Sequence, residues 1–333
     1  MQQSTPSTAA SDDPGTPAVA TEAWTVSDGH AGNRRQAQAL ARALALPSTD
    51  WALTARAPWR WLAPRRLPGV RQAFGDGFAQ ALARPPRLAI GCGRQGALAT
   101  RLLRERGARS IQILDPRLDP RHWDLVVAPE HDGLRGHNVV TLLGSLHPVD
   151  DDWLATARAQ FAAFAALPSP RTALLIGGAS AHARFDEASF DTLLAHVRQH
   201  AQAHGGSVLA TTSRRTPANV AARLREHLQE VPGVVWTGDR DGANPYAGLL
   251  AWADRIVCTA DSVNMLSEAA ATHAPLFIAG ADRVDGRPRR FVDSLLGLER
   301  AQVFGGGMAS PYAVTPLRET ARVAGEVRRR LGL

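Results

Sequence analysis

The residues with the clearest chemical potential lie in the segment 259–269, where Asp261, Ser262, Met265 and Glu268 follow an apolar stretch. Serine is a favoured helix N-cap, and the first amides of a helix present a positive dipole end that favours phosphate. Glu268, about two turns into the predicted helix, is placed to accept hydrogen bonds from ribose hydroxyls. The segment therefore predicts a nucleotide diphosphate site. The alternative is that Asp261 and Ser262 only cap the helix.

Two other loops carry residue types that suit phosphate. Gly177 and Gly178 follow an apolar stretch, and glycine allows a phosphate to approach the backbone closely. Ser213, Arg214 and Arg215 lie in a polar turn that ends at Pro217, and guanidinium groups make charge-assisted hydrogen bonds to phosphate. Taken alone, two glycines are weak evidence, and the arginines equally fit a basic surface turn.

The elements that must position these loops alternate between short apolar strands and helices. This order favours an α/β fold with parallel sheets covered by helices on both faces. A proline-bearing segment near residue 167 interrupts the alternation, which then restarts. We predict two doubly wound, Rossmann-like domains facing a central cleft, with a disordered leader at 1–22, a first domain at 23–166, and a second at 167–333 that includes the terminal helix. Such sheets bind ligands at the carboxyl ends of their strands.

Composition limits the function classes. The chain has 333 residues, 44% of them hydrophobic, which is enough for two packed cores and excludes a fully disordered protein. The formal charge is +7, yet the sequence contains no lysine, so all 38 Lys and Arg positions are arginine. This charge suits anionic partners such as phosphates, lipopolysaccharide or an anionic membrane face, and we expect no nucleic-acid partner. Arginine bias is also typical of a GC-rich genome.

Cysteine usage and hydropathy indicate a compartment. Cys92 and Cys258 are isolated within apolar segments, which indicates buried free thiols in a reducing environment. No stretch approaches the roughly 20 apolar residues that span a bilayer. We therefore expect a cytoplasmic protein that is peripheral at the inner membrane at most.

One segment combines tryptophan with arginine. Trp51, Trp59 and Trp61 alternate with Arg60, Leu62, Arg65 and Arg66. Indole and guanidinium together suit anionic lipid headgroups. The alternative, that the tryptophans pack in the core, is favoured slightly, and nearby prolines argue against a long amphipathic helix.

Several ordered motifs now resemble a known family. The segments around Gly178, Ser213 and Glu268 resemble the donor half of GT-B glycosyltransferases. Residues 24–36, Ser213 to Pro217 and residues 244–246 resemble more closely the elongated-mitochondria family, which is named for mitochondrial fission in plants and described in bacteria as glycosyltransferases. The resemblance covers residues 23–310.

The resemblance implies a nucleotide-sugar donor held by the second domain and an acceptor held by the first. It places the diphosphate near Gly178, Ser213, Arg214 and Ser262, and the ribose at Glu268. It implies a nucleotide sugar as substrate, without a cofactor or a metal ion, and a lipid-linked or lipopolysaccharide acceptor. The plant name supports the alternative of a non-catalytic adaptor that recruits a protein partner.

Glycosyl transfer to a hydroxyl requires a general base, because the acceptor loses a proton. Asp28 and His30 are the candidates, and each is equally explained as an ordinary turn residue. Further acceptor-side candidates occupy loops of the first domain: Gly29, Asn33, Arg94, Glu130, His131 and His137. A nucleotide-sugar epimerase or dehydrogenase would need a dinucleotide fingerprint and a Tyr-x-x-x-Lys pair. Because the chain has no lysine, this pair is absent and we exclude that enzyme class.

Overall fold

The computed structural model describes residues 22–178, 182–306, 308 and 312–333. Almost all of the predicted leader lies outside the described residues. The same is true of Ala179 and Ser180, with which the loop predicted after Ile176 continues beyond Gly177 and Gly178.

The first half of the chain forms a six-stranded parallel sheet with the order β2-β1-β3-β4-β5-β6. Its central strands are apolar and buried, as expected for a sheet covered on both faces. The strands are β1 (Ala23–Ser27), β2 (Ser48–Ala52), β3 (Leu88–Cys92), β4 (Arg109–Ile113), β5 (Leu125–Pro129) and β6 (Val139–Leu142).

The second half forms another six-stranded parallel sheet, with the order β12-β11-β10-β7-β8-β9. The strands are β7 (Arg171–Ile176), β8 (Ser207–Thr212), β9 (Gly233–Trp236), β10 (Arg255–Thr259), β11 (Leu276–Ala279) and β12 (Ala301–Val303). The predicted α/β class with two doubly wound domains is confirmed.

Helices connect the strands and cover both sheets. The α-helices are α1 (Ala31–Ala43), α2 (Trp59–Leu62), α3 (Asp76–Ala81), α4 (Gly93–Arg104), α5 (Asp151–Gln160), α6 (Glu187–Ala203), α7 (Ala218–Leu228), α8 (Tyr246–Trp252), α9 (Val263–Ala270), α10 (Gly286–Gly297) and α11 (Thr320–Leu331). Pro217 and Pro245 precede α7 and α8, where proline suits a helix start because no amide hydrogen is needed there.

Two helices link the halves. Leu154 and Ala157 of α5 belong to the core of the second domain, where α5 lies against α8. Val323 and Val327 of α11 pack with Leu40 in the core of the first domain. The sequence-based division at residue 166 places α5 in the first domain and α11 in the second, whereas each helix packs against the core of the other domain. The sequence could not show this, because an apolar helix face does not reveal which sheet it covers.

The strand orders locate the switch points. In the first sheet the order reverses between β1 and β3, and in the second between β7 and β10. A crevice forms at such a reversal, outside the carboxyl ends of the strands. The segments after these four strands begin at Asp28, Gly93, Gly177 and Ala260. They contain the predicted base candidates and part of the predicted phosphate site.

Candidate functional site

Asp28 and His30 form one unit after β1. Asp28 Oδ1 accepts a hydrogen bond from the His30 amide at 3.1 Å and lies 3.0 Å from His30 Nδ1. The Asn33 amide group donates to both oxygens of Asp28, at 3.0 and 3.1 Å. The His30 side chain is 78% exposed, whereas that of Asp28 is only 15% exposed. The carboxylate can therefore orient the imidazole while the ring remains open to solvent.

The start of α4 adjoins this unit. Gly93 has a φ of 76°, and a Cβ there would lie 2.6 Å from Asn33 Nδ2, so only glycine fits without strain. The sequence predicts a loop from Cys92 to Gly96, but α4 begins directly at Gly93. The Cys92 thiol is buried, and desolvation raises its pKa well above the ordinary value. The predicted free thiol is therefore an inert core group in this structure.

The Gly177–Gly178 turn is bound by side chains that follow β10. The Gly177 amide donates to Thr259 Oγ1 at 2.8 Å, and the Gly178 amide donates to Asp261 Oδ2 at 2.9 Å. A Cβ at Gly177 would overlap the Asp261 carboxylate, and one at Gly178 would press on the backbone of Arg215. Close packing within the protein thus accounts for both glycines, and both amides already have acceptors. Asp261 holds the turn, and burial raises the pKa of its carboxyl.

The turn after β8 presents two arginines. Ser213 Oγ accepts from the Arg215 amide at 3.3 Å and contacts Thr216 Oγ1 at 3.1 Å. Thr216 Oγ1 donates to the Gly177 carbonyl, which joins this turn to the neighbouring glycine turn. Arg214 and Arg215 are exposed, and the charge of Arg215 acts on Asp261. Ser213 therefore shapes the turn, and the two guanidiniums remain accessible to an anion.

The N-terminus of α9 completes the second-domain edge. Ser262 is the N-cap of this helix, and its hydroxyl accepts from the Met265 amide at 3.4 Å. Met265 is half-buried against the core of the second domain, so its side chain contributes packing. The predicted cap is present, at the same edge of the sheet as the exposed Arg214 and Arg215, with β7 between the two strands that precede them.

Glu268 is engaged by both domains. Its Oε1 accepts from Arg35 Nη1 at 2.6 Å, and its Oε2 accepts from the Tyr246 hydroxyl at 2.5 Å. The Glu268 side chain is 3% exposed and that of Arg35 is 43% exposed. The carboxylate raises the pKa of Arg35, while burial and the same carboxylate raise the pKa of Tyr246. The predicted ribose acceptor is therefore covered by an arginine from the other domain.

Neighbouring contacts hold the domains together around this pair. Gln36 Nε2 donates to Asn264 Oδ1 at 3.4 Å, and a Cβ at Gly32 would overlap the Asn264 amide. The Ser145 amide donates to Ser267 Oγ at 3.0 Å. Helices α1 and α9 thus approach closely at the N-terminal end of α9. Arg35, Gln36 and Tyr246 contact the predicted site, although their sequence context alone does not indicate it.

Several acceptor-side candidates serve structural purposes. Arg94 donates to the carbonyls of Ala63 and Trp61, at 2.9 and 2.8 Å. Gly29 has a φ of 80°, which a turn residue without a side chain adopts easily. Arg94 therefore holds the segment around α2.

Glu130 and His131 do follow β5 at the carboxyl edge, but His131 meets the second domain. Its ring lies 5.9 Å from that of Phe291, and burial together with Arg290 lowers its pKa to about 4. The neighbouring Asp132 pairs with Arg287 at 3.0 Å. This loop is a contact between domains.

His137 does not belong to the acceptor edge. It lies two residues before β6, at the amino end of a parallel strand and opposite the crevice. Its carbonyl accepts from Arg330 of α11 at 2.8 Å. The proximity of His137 to Glu130 in the sequence suggested one polar cluster. Between the two residues, however, the chain returns from the carboxyl end of β5 to the amino end of β6.

A cavity of about 410 Å³ lies beside the second sheet rather than at the switch point. Phe185, Asp186, His196, Arg283 and Phe304 are among its lining residues. A smaller cavity of about 120 Å³ adjoins Gly177, Gly178 and Asp261. Within the described ranges, no three His, Cys, Asp or Glu side chains are grouped to hold a metal ion. Binding without a metal stays a prediction.

Solved structures share this two-sheet architecture. A UDP-GlcNAc 2-epimerase from Methanocaldococcus jannaschii has a TM-score of 0.57 and 10% identity, covering 94% of this chain and 99% of that chain. A UDP-glucosyltransferase from Polygonum tinctorium, capable of glucosylating indoxyl, has a TM-score of 0.50 and 12% identity, covering 95% and 90%. At such identities the similarity concerns the fold alone. It defines the chain as a protein of the GT-B fold.

The chain belongs to the family described as Mitochondrial fission ELM1, whose profile matches residues 31–331. Mitochondrial fission protein ELM1 of Arabidopsis thaliana is 32% identical over 276 residues, which cover 74% of this chain and 64% of the plant protein. The uncharacterized protein RP120 of Rickettsia prowazekii (strain Madrid E) is 25% identical over 346 aligned positions, covering 90% of this chain and 96% of that protein. The predicted family resemblance is confirmed.

Two consequences concern the sequence-based expectations. The exclusion of epimerases applies only to enzymes with a dinucleotide fingerprint, because a UDP-GlcNAc 2-epimerase has this fold. Among the described helices, none combines the length and the apolar character needed to cross a membrane.

Proposed function

We propose that this protein is a GT-B glycosyltransferase that takes a sugar from a nucleotide-sugar donor. The main supporting observation is that Ser262, which follows β10, and Arg214 and Arg215, which follow β8, all lie at the carboxyl edge of the second sheet. These two strands flank β7, and the strand order reverses between β7 and β10. Two exposed guanidiniums and a helix N-terminus supply positive charge there. Neither guanidinium forms an ion pair within the described ranges, although the charge of Arg215 also acts on the buried Asp261. A diphosphate matches this arrangement in charge and hydrogen-bonding capacity.

On the donor side, Arg214, Arg215 and the first amides of α9 would bind the diphosphate. Charge-assisted hydrogen bonds to the leaving diphosphate strengthen as negative charge develops on it, which lowers the barrier to glycosyl transfer. Asp261 and Thr259 would position the Gly177–Gly178 turn without contacting phosphate, because both side chains are engaged by its amides. Glu268 would bind the ribose after Arg35 moves aside.

On the acceptor side, the Asp28–His30 unit would act as the base. A proton on Nδ1, which lies 3.0 Å from Asp28 Oδ1, would leave Nε2 of His30 free to take the proton of an acceptor hydroxyl, and the carboxylate would stabilise the imidazolium that forms. We propose an acceptor of the cell envelope, such as the core of lipopolysaccharide. Its hydroxyl oxygen would form the new bond to the anomeric carbon as the nucleoside diphosphate departs.

A thermal-shift screen tests donor binding. UDP, GDP, ADP, CMP and their sugar conjugates are added to the full chain, and a binding nucleotide raises the melting temperature with concentration. The double variant Arg214→Ala/Arg215→Ala is expected to lose the shift. Arg198→Ala, which removes an exposed arginine from α6, is the matched control. Equal shifts in the double variant and the wild type would contradict the proposed site.

Incubation with the binding nucleotide sugar then distinguishes reaction classes. A transferase releases nucleoside diphosphate faster when acceptor glycolipid is present. An epimerase converts the nucleotide sugar to its epimer without an acceptor.

The alternative from another class is a non-catalytic adaptor with the GT-B fold, for which the family description provides the motive. Glu268 is covered by Arg35 and Tyr246, and the amides of Gly177 and Gly178 already donate to protein side chains. These contacts would stabilise a cleft that binds no nucleotide. The adaptor predicts no thermal shift with any nucleotide in the screen.

A further inference from the structure

The segment from Trp51 to Gly75 carries charge of one sign. It contains arginines at 56, 60, 65, 66 and 71 and no aspartate or glutamate. Arg66 pairs with Glu105. For the other four arginines, all exposed, no salt bridge is found within the described part of the chain.

The same segment exposes apolar side chains. Trp61 is 64% exposed and Leu62 is 40% exposed, and both belong to the single turn of α2. The remaining tryptophans of the segment behave differently, since Trp51 and Trp59 pack against the core of the first domain. The structure thus divides the tryptophans between the two alternatives that the sequence left open.

The segment is fixed rather than loosely attached. Arg94 and Arg101 of α4 bind the carbonyls of Trp61, Ala63 and Pro64 at distances of 2.6–2.9 Å. Two guanidiniums therefore hold the backbone that carries Trp61 and Leu62, whose side chains are exposed to solvent.

We propose that this surface, formed by Trp61 and Leu62 with Arg56, Arg60, Arg65 and Arg71, docks on an anionic phospholipid bilayer. Indole and leucine enter the boundary between headgroups and acyl chains, while arginine stems extend their charges to the phosphates. Each arginine near an anionic leaflet adds attraction that salt weakens. A patch of two apolar residues alone would bind weakly, and a purely basic patch would remain in the headgroup layer, so the two components act together.

Docking here has a consequence for the acceptor edge. Arg94, which pins the surface, is the second residue of α4, and the first residue, Gly93, touches Asn33 of the Asp28–His30 unit. The docking surface is therefore attached to the start of α4, at the carboxyl end of β3. A bilayer bound at Trp61 would bring lipid-linked hydroxyls towards the first domain. The docking itself does not depend on any transferase activity.

Vesicle co-sedimentation tests the proposal. The full chain is mixed with vesicles of pure phosphatidylcholine or of phosphatidylcholine containing roughly one third phosphatidylglycerol. Sedimentation is expected only with the anionic vesicles and is expected to weaken as salt rises. Trp61→Ser/Leu62→Ser and, separately, Arg60→Glu/Arg65→Glu are each expected to reduce partitioning about tenfold or more.

Matched controls come from the second domain. Leu298→Ser removes another exposed apolar side chain, 56% exposed, and Arg198→Glu/Arg240→Glu reverses two exposed charges. Both controls are expected to retain vesicle binding. All substituted side chains are exposed, so the melting temperatures are expected to stay unchanged, and unchanged values exclude misfolding as the cause of lost binding.

Three results would overturn the proposal. These are no sedimentation with anionic vesicles, equal loss in the two charge-reversed variants with none in the serine variant, or displacement from vesicles by short RNA that binds through the same arginines.

Discussion

Arg35 and Glu268 are bonded across the two domains, with Arg35 Nη1 donating to Glu268 Oε1 at 2.6 Å. Tyr246 occupies the second carboxylate oxygen, so the acidic group best placed for a ribose has no exposed lone pair towards the crevice. Opening must separate this pair before a nucleotide can reach Glu268. The apparent affinity for a nucleotide is then the intrinsic affinity multiplied by the fraction of molecules in which the pair is open.

Replacing Arg35 by methionine is therefore expected to tighten nucleotide binding. The substitution keeps most of the apolar stem and removes the charge that competes for Glu268. Because Arg35 is half-exposed, we expect a modest gain of about three- to tenfold, measured by calorimetry with the nucleotide that gives the largest thermal shift.

Arg34→Met is the control for this experiment, since Arg34 bonds Asp50 within the first domain at 2.6 Å. An unchanged affinity in Arg35→Met would show that the pair does not restrict access. A weaker affinity would show that Arg35 contacts the nucleotide.

Glu268 can be tested with and without a ribose in the ligand. Glu268→Ala is expected to weaken binding of a nucleoside diphosphate by about tenfold or more, because hydrogen bonds from ribose to a charged acceptor are lost. Pyrophosphate, which has no ribose, is expected to bind both proteins equally at Arg214 and Arg215. Equal losses of affinity for the nucleoside diphosphate and for pyrophosphate would show that Glu268 maintains the structure of the cleft and does not contact the ribose.

The sequence was sufficient to predict the buried strands and to predict that the polar loops lie at the carboxyl edge of each sheet. Apolar strands β7, β8 and β10 are recognisable because both faces are buried. In contrast, β2 is an edge strand with the sequence Ser-Thr-Asp-Trp-Ala and mostly exposed residues, so no apolar pattern predicts it. Helix α10 begins with Gly-Arg-Pro-Arg-Arg, which suggests a loop until the apolar face further along is known to contact the core.

The candidate site was predictable only within each domain. Ser262 as a cap and the Asp28–His30 turn depend on neighbouring residues, and local chemistry indicates them. The Arg35–Glu268 pair joins positions 233 residues apart, and its existence depends on how two finished domains pack. The same limitation explains Arg94, whose carbonyl partners lie on a segment without regular sequence periodicity.

Asp261 is expected to stabilise the second domain rather than bind donor. Asp261→Ala leaves the buried Gly178 amide without its acceptor, which costs about 1–3 kcal/mol of unfolding free energy. Asp261→Asn keeps an oxygen acceptor and is expected to retain most of that stability. Urea denaturation followed by far-ultraviolet circular dichroism measures both. Full stability of the alanine variant would contradict this role.

His131 gives the domain contact a pH dependence. Its pKa is lowered to about 4 in the folded protein, mainly by burial and further by Arg290, against an ordinary value of 6.5. Between these values the unfolded chain binds the extra proton and the folded chain does not. The contribution is therefore fully present above pH 6.5 and is lost as the pH falls towards 4, with a slope of at most about 1.4 kcal/mol per pH unit.

His131→Leu should remove this part of the slope, because leucine packs against Phe291 without a titrating group. His147, which is buried and has a lowered pKa, acts in the same direction, so a residual slope is expected to persist. His137→Leu provides the control, since His137 is exposed at the opposite edge of the sheet. Melting temperatures collected from pH 7 down to about 4 measure the effect. Parallel curves for His131→Leu and the wild type would mean that neither burial nor Arg290 lowers the pKa of His131 in the folded protein.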